Sequence, residues 1–152
     1  MSLDLFSLKG RIALVTGGSR GIGRMIAAGF LKAGAKVYIS SRKQAACDAT
    51  AAELSALGEI VSLPLDASTV AGAKALAAAL AARETKLDIL VNNAGAAWLE
   101  PIDVFPEKGW DKVMDLNLKS PFFLTQALLP QLRAAAAGGH VAKVINIASI
   151  DG

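Results

Sequence analysis

The sequence is poor in the residues that most often announce catalysis: 152 residues carry one cysteine, one tyrosine and one histidine. The single cysteine, Cys47, excludes an internal disulfide and suits a reducing, cytoplasmic compartment. Cys47 itself reads as an ordinary helix residue. His140 stands between a diglycine and an apolar run, which reads as a surface loop rather than a catalytic base. No metal site is expected. Although 53% of residues are hydrophobic and mean hydropathy is +0.44, much of this is alanine. No continuous apolar stretch reaches the roughly 18 residues that a membrane span needs. MSLDLFSLKG offers neither a basic leader nor an apolar core, so no signal peptide is expected. Lysine and arginine exceed the acids by enough for a net charge of +3, but they are scattered singly. That pattern lacks the basic stripe of a nucleic-acid binder, and neither nucleic acid nor membrane is expected as a partner.

What is present is a repeated alternation. Residues 11–17 (RIALVTG), 36–41, 59–66, 87–93 and 143–149 are short apolar runs rich in β-branched residues. Such runs suit strands buried on both faces of a parallel sheet. Between them lie helical stretches at residues 23–33 and 44–57, each followed by a glycine suited to a helix C-terminus. Two more lie at residues 69–83 and 109–137, the last interrupted by Pro121 and Pro130. The order predicts an α/β fold with a doubly wound parallel sheet, in one domain over residues 1–152.

TGGSRGIG (residues 16–23) follows the first run and opens the first helix. In that context glycines have mechanical roles. Gly17 permits the tight turn, Gly21 lets the backbone approach a pyrophosphate, and Gly23 lets the helix pack closely. Ser19, Arg20 and Ile22 complete the candidate phosphate-binding turn, and the helix N-terminus adds free N–H groups and partial positive charge. The domain therefore reads as Rossmann-type and NAD(P)-binding.

The spacing Gly-x-x-x-Gly-x-Gly after a threonine resembles the short-chain dehydrogenase/reductase family. NNAG at residues 92–95, PLDAS around Asp66, DLNLKS around Asn117 and INIAS around Ser149 extend the likeness in the family's order. The resemblance is greatest to β-ketoacyl reductases, those acting on acyl-carrier-protein thioesters and the rhamnolipid-pathway type. It implies that Asn93, Ala94 and Gly95 stabilise the central sheet and line the adenine-ribose side of the cofactor. It implies too that Asp66 and Ala67 contact adenine, and that Asn117 and Ser149 are two members of a catalytic tetrad. A homo-oligomer, dimer or tetramer, is implied as well.

NAD-selective enzymes of this architecture place an acid after the second strand to bind the ribose 2′-hydroxyl. YISSRK (residues 38–43) has none. Arg42 stands where a 2′-phosphate would lie, with Arg20 able to approach from the turn, and a guanidinium can hold two phosphate oxygens at once. NADP(H) is the expected cofactor.

By resemblance, a tyrosine protonates the substrate carbonyl oxygen while hydride arrives from the nicotinamide, and Ser149 hydrogen-bonds that oxygen. One such donor can be worth about 2.7–4 kcal/mol of barrier. Pro121, four residues after Asn117, lacks an N–H, so the Asn117 carbonyl loses its helical donor and is free to hold a water. Trp98, Trp110 and Phe105 read as packing residues, with Trp98 a candidate for contact with an acyl chain.

The partner of Ser149 is missing. The family's Tyr-x-x-x-Lys motif does not occur, and the sole tyrosine, Tyr38, lies within the second strand. The fold is accordingly expected to be C-terminally incomplete, with the fifth strand as an exposed apolar edge prone to aggregation. The complete protein is expected to reduce a carbonyl with NADPH, that of a 3-oxoacyl thioester. The alternative is a catalytically inactive nucleotide-binding or interaction fragment. A methyltransferase on a similar sheet would want an acid after the second strand and leaves NNAG unexplained.

Overall fold

The structure is a computed structural model that describes residues 4–149. Five strands, β1 (Ile12–Thr16), β2 (Lys36–Ser40), β3 (Ile60–Leu63), β4 (Ile89–Asn92) and β5 (Lys143–Asn146), form one sheet in the order β3-β2-β1-β4-β5. Every neighbouring pair is parallel. Five α-helices connect or flank them: α1 (Gly21–Lys32), α2 (Gln44–Leu54), α3 (Val70–Ala81), α4 (Glu107–Met114) and α5 (Ser120–Ala137).

The alternation of strand side chains divides the core in two. Leu14, Tyr38, Leu63 and Leu90 point to one face, where they meet Leu76 and Leu80 of α3 and Leu124, Leu128 and Leu132 of α5. Ala13, Val15, Val37, Ile39 and Val91 point to the other, against Ala27 and Leu31 of α1 and Cys47 and Leu54 of α2. Because both faces are covered, β1 is apolar at successive positions over residues 12–15 and β4 over residues 89–91, rather than at alternate ones. The doubly wound sheet expected from the alternation is the one observed.

Two expectations need correction. The run ending at Asp66 reads as strand throughout, yet β3 stops at Leu63. Pro64 follows it, and a proline cannot donate to the ladder. Asp66 therefore belongs to the loop after β3. The long fourth helix is also divided. Asp115–Lys119 form a π-helical turn between α4 and α5, with the Ser120 N–H donating to the Asp115 carbonyl. This is the kink expected near Pro121, in the form of a bulge. Pro130 lies inside α5 without ending it.

Among the described residues β5 lies at one edge of the sheet. All its residues are exposed, Val144 and Ile145 among them. Its ladder to β4 extends one bond further through the Ile147 N–H to the Asn92 carbonyl, 3.0 Å.

Candidate functional site

A parallel sheet places the carboxyl ends of all its strands on one side. The chain runs outward from β1 through β2 to β3, then returns to start β4 on the opposite side of β1. The loops leaving β1 and β4 therefore diverge and open a crevice, the usual ligand position in such sheets. Gly17–Gly23, Arg42, Asp66, Asn93 and Ser149 all follow strand ends on this side.

The turn after β1 adopts a conformation that only glycine takes easily. Gly17 and Gly21 have φ of 66° and 53°, in the left-handed region. At Gly17 a Cβ would lie 3.0 Å from the Ala94 Cα and from the Asn93 Nδ2, so the turn also presses directly on the segment after β4. At Gly21 a Cβ would meet nothing within 4 Å, which leaves the turn open on that side. Gly23 carries the tightest contact of the three, 2.3 Å from a built Cβ to the Gly17 carbonyl oxygen. What Gly23 permits is thus the approach of α1 to its own turn and to Asn93. The N-terminus of α1 has no side-chain cap, since Arg20 in the N-cap position makes no capping bond. Its first N–H groups are available to an anion.

One threonine hydroxyl joins this turn to β4. Thr16 Oγ1 donates to the Val91 carbonyl at 3.3 Å and accepts from the N–H groups of Asn93 and Ala94, each at 3.0 Å. A hydroxyl has one donor and two lone pairs, so all its capacity is used. Asn93 Nδ2 donates back to the Thr16 carbonyl at 2.9 Å and the Gly17 carbonyl at 3.4 Å. Asn92 Nδ2 reaches the other way, to Asn146 Oδ1 at 2.9 Å and Thr125 Oγ1 at 3.4 Å. The two asparagines therefore tie β4 to both neighbouring strands, and Gly95 follows at the crevice.

The loop after β2 adjoins the turn, because the Gly18 N–H donates to the Ser40 carbonyl at 3.1 Å. That loop supplies Arg42, which is exposed, and no carboxylate. Arg20 is exposed too, and among the described residues neither arginine takes part in an ion pair. Beyond β3, Asp66 accepts the Ser68 N–H at 3.0 Å through Oδ1, and Ala67 is buried beside it. Ile22 is an exposed apolar side chain on the first turn of α1, and Ser19 is half-buried.

Asn117 lies in the π turn, where its side chain bonds to the segment after NNAG. Its Oδ1 accepts the Ala96 N–H at 2.8 Å and its Nδ2 donates to the Ala96 carbonyl at 2.9 Å. This reciprocal pair holds the carboxyl end of β4 against the kink, while Pro121 offers no N–H to the Asn117 carbonyl. Ser149 is exposed, three residues past the end of β5. Trp98 packs on α4: a Cβ at Gly109 would fall 2.8 Å from its ring, and Lys112 Nζ stands 5.1 Å from the ring centroid. Phe105 is half-buried, whereas Trp110 is exposed rather than packed.

Two charged clusters lie away from this crevice. Tyr38 is buried, and its hydroxyl donates to Glu84 Oε1 at 2.6 Å. Burial and that bond push the hydroxyl up to about 12, and its proton is directed to the Glu84 carboxylate. Lys36 bridges Glu59 and Glu84, and those contacts raise its ammonium above the usual range. Asp88 is buried at the amino end of β4. Burial pushes its carboxyl up, but the Ile12 N–H, Arg11 and Lys86 outweigh that and hold it below the usual range. His140 stands 2.8 Å from Arg11 Nη2 on the surface. Among the described residues no group of histidines, cysteines and acids could hold a metal, and no helix is long and apolar enough to cross a membrane.

The short-chain dehydrogenase family model matches residues 11–152. The chain belongs to the short-chain dehydrogenase family. It is 54% identical over 147 residues to the rhamnolipids biosynthesis 3-oxoacyl-[acyl-carrier-protein] reductase of Pseudomonas aeruginosa, covering 97% of this chain and 57% of that protein. It is 40% identical over 154 residues to the 2-dehydro-3-deoxy-D-gluconate 5-dehydrogenase of Dickeya dadantii, covering 99% of this chain and 58% of the relative. Among solved structures, the Pseudomonas aeruginosa RhlG/NADP active-site complex superposes with a TM-score of 0.92 at 55% identity, over 95% of this chain and 56% of that one. The chain thus spans little more than half the length of these short-chain dehydrogenase relatives.

Within the family frame, sequence reasoning passed over three residues. Gly18 is confined because a Cβ would lie 2.6 Å from Ile39, and its glycine neighbours were the available hint. Thr16 was visible as the residue opening the turn, but its triple bonding was not. Thr50 of α2, whose hydroxyl donates to the Ser19 carbonyl at 2.8 Å, had no local signal at all.

Proposed function

We propose that the protein is an NADP(H)-dependent reductase of a carbonyl, with a 3-oxoacyl thioester as its substrate. The observation that carries this reading is the junction of the turn and β2. The Gly18–Ser40 bond sets a glycine turn bearing Arg20 against a loop bearing Arg42, with no acid in either and, among the described residues, no ion pair to either arginine. Such a junction suits a dinucleotide carrying a 2′-phosphate and repels none of its charge. The open side of Gly21 and the uncapped N-terminus of α1 fit a pyrophosphate.

On this reading the Ser19–Gly23 backbone holds the pyrophosphate, while Arg20 and Arg42 hold the 2′-phosphate. Asp66 and Ala67 border the adenine, and Asn93 to Gly95 line the ribose. NADPH would supply a hydride to the substrate's carbonyl carbon. Ser149 donates a hydrogen bond to the carbonyl oxygen, and the Asn117 carbonyl holds a water of the proton path. Tyr38 has no part, since its hydroxyl is committed to Glu84 on a different part of the sheet. The reading includes a cytoplasmic, homo-oligomeric protein acting on a small-molecule acyl thioester. The P. aeruginosa 3-oxoacyl reductase supports the thioester assignment through its 54% identity, against 40% for the sugar-acid dehydrogenase.

The test follows nicotinamide absorbance with the full-length protein in two directions: NADPH oxidation by a 3-oxoacyl thioester and, separately, NADP+ reduction by 2-dehydro-3-deoxy-D-gluconate. A higher kcat/KM for the thioester is the expected result. Preference for the sugar acid would overturn the substrate assignment.

A further inference from the structure

We propose that Thr50 is a positioning residue that fixes the glycine turn from outside, and through Arg20 sets its preference for a 2′-phosphorylated dinucleotide. The turn needs such a tether. It contains two glycines at positive φ, and the N-cap of α1 makes no side-chain bond that would stiffen it. Arg20 lies between these weak points, extended at φ −162° and ψ 171°. The peptide unit that joins Ser19 to Arg20 determines where the Arg20 side chain leaves the backbone. The carbonyl of that unit accepts the Thr50 hydroxyl at 2.8 Å, across 31 residues of sequence. Thr50 is buried on α2, so water does not compete freely for the bond. The same helix starts immediately after Arg42 and Lys43. One rigid element therefore registers both arginines against each other. A separate α1–α2 contact, the Arg24–Glu53 ion pair, is exposed and joins the two helices without touching the turn.

The inference rests on the NADP(H) reading, and the experiment separates the two. Dissociation constants for NADPH and NADH are measured by calorimetry for the wild type, Thr50→Val, Thr50→Ser and Glu53→Gln. Amide exchange over residues 17–23 is followed in the same proteins without cofactor. Valine keeps the shape and removes the donor; serine restores the donor. Thr50→Val is expected to weaken NADPH about tenfold, which corresponds to about 1.4 kcal/mol, and NADH by about threefold or less. It should also speed exchange in the turn. Thr50→Ser and Glu53→Gln should match the wild type in affinity and exchange. Equal loss of both dinucleotides, unchanged exchange in Thr50→Val, or failure of serine to restore would overturn the positioning role. Should Thr50→Val not fold, Thr50→Ala is judged by the same criteria. A wild type that prefers NADH would instead defeat the NADP(H) reading, while the exchange data would still decide whether Thr50 holds the turn.

Discussion

Two glycines on α1 give opposite predictions for the same substitution. Replacing a helical glycine by alanine gains about 1 kcal/mol from backbone entropy alone. At Gly29 a Cβ meets nothing within 4 Å, so that gain should appear nearly intact. At Gly23 the new Cβ would stand 2.3 Å from the Gly17 carbonyl oxygen and 2.5 Å from Asn93 Nδ2. The first obstacle is backbone and cannot step aside, so α1 must slide outward. Overpacking of this kind costs about 1–3 kcal/mol. Displacing Asn93 also strains its bonds to the Thr16 and Gly17 carbonyls, worth about 0.5–1.5 kcal/mol each. The clash therefore wins. Gly23→Ala should destabilise by about 1–3 kcal/mol, and Gly29→Ala should stabilise by about 0.5–1 kcal/mol. Urea unfolding at a shared m-value reads both as shifts of midpoint in opposite directions. If Gly23→Ala raised the midpoint as Gly29→Ala does, the close approach of helix and turn would be refuted.

Two further predictions concern charge. The single tyrosine allows a clean absorbance titration, and Tyr38 should ionise near 12 rather than near 10. Because its folded value is raised, its contribution to stability is complete below pH 10 and is lost as pH climbs toward 12. Tyr38→Phe should remove that alkaline dependence; ionisation near 10 with the fold intact would contradict the buried bond to Glu84. Asp88 has the opposite sign. Its folded value lies below the ordinary 3.8, so its stabilisation is present above that pH and lost as pH falls through the folded value. Asp88→Asn should lower the urea midpoint at pH 7 and flatten its decline below about pH 4. An unchanged acid decline would show that the contacts to Arg11, Lys86 and Ile12 do not stabilise the ionised form.

What could be read beforehand was whatever leaves a local pattern. β1, β2 and β4 carry unbroken apolar runs (residues 12–15, 37–39 and 89–91) because both faces are covered, and they were placed to within a residue or two. The glycine turn was legible because positive φ restricts the residue type. The end of β3 was misplaced because Pro64 and Leu65 are apolar, and apolarity was read as strand although Pro64 cannot pair. The π turn has no composition of its own; only Pro121 hinted at it. Trp110 was assigned to packing as an aromatic, yet it is Trp98 that lies on α4, over Gly109. Long-range bonds from side chain to backbone were invisible. Neither the Thr16 hydroxyl nor the Thr50 hydroxyl can be assigned a partner without knowing which strands and helices adjoin. The engagement of the Asn117 side chain with Ala96 belongs to the same class.

The most direct test of the account is a paired titration of the protein with NADPH and NADH, repeated on Arg42→Ala. The wild type should bind NADPH more tightly than NADH, and the loss in Arg42→Ala should fall mainly on NADPH. A wild type that binds NADH as tightly, or an Arg42→Ala variant that weakens both equally, would contradict the reading of the junction between the glycine turn and β2.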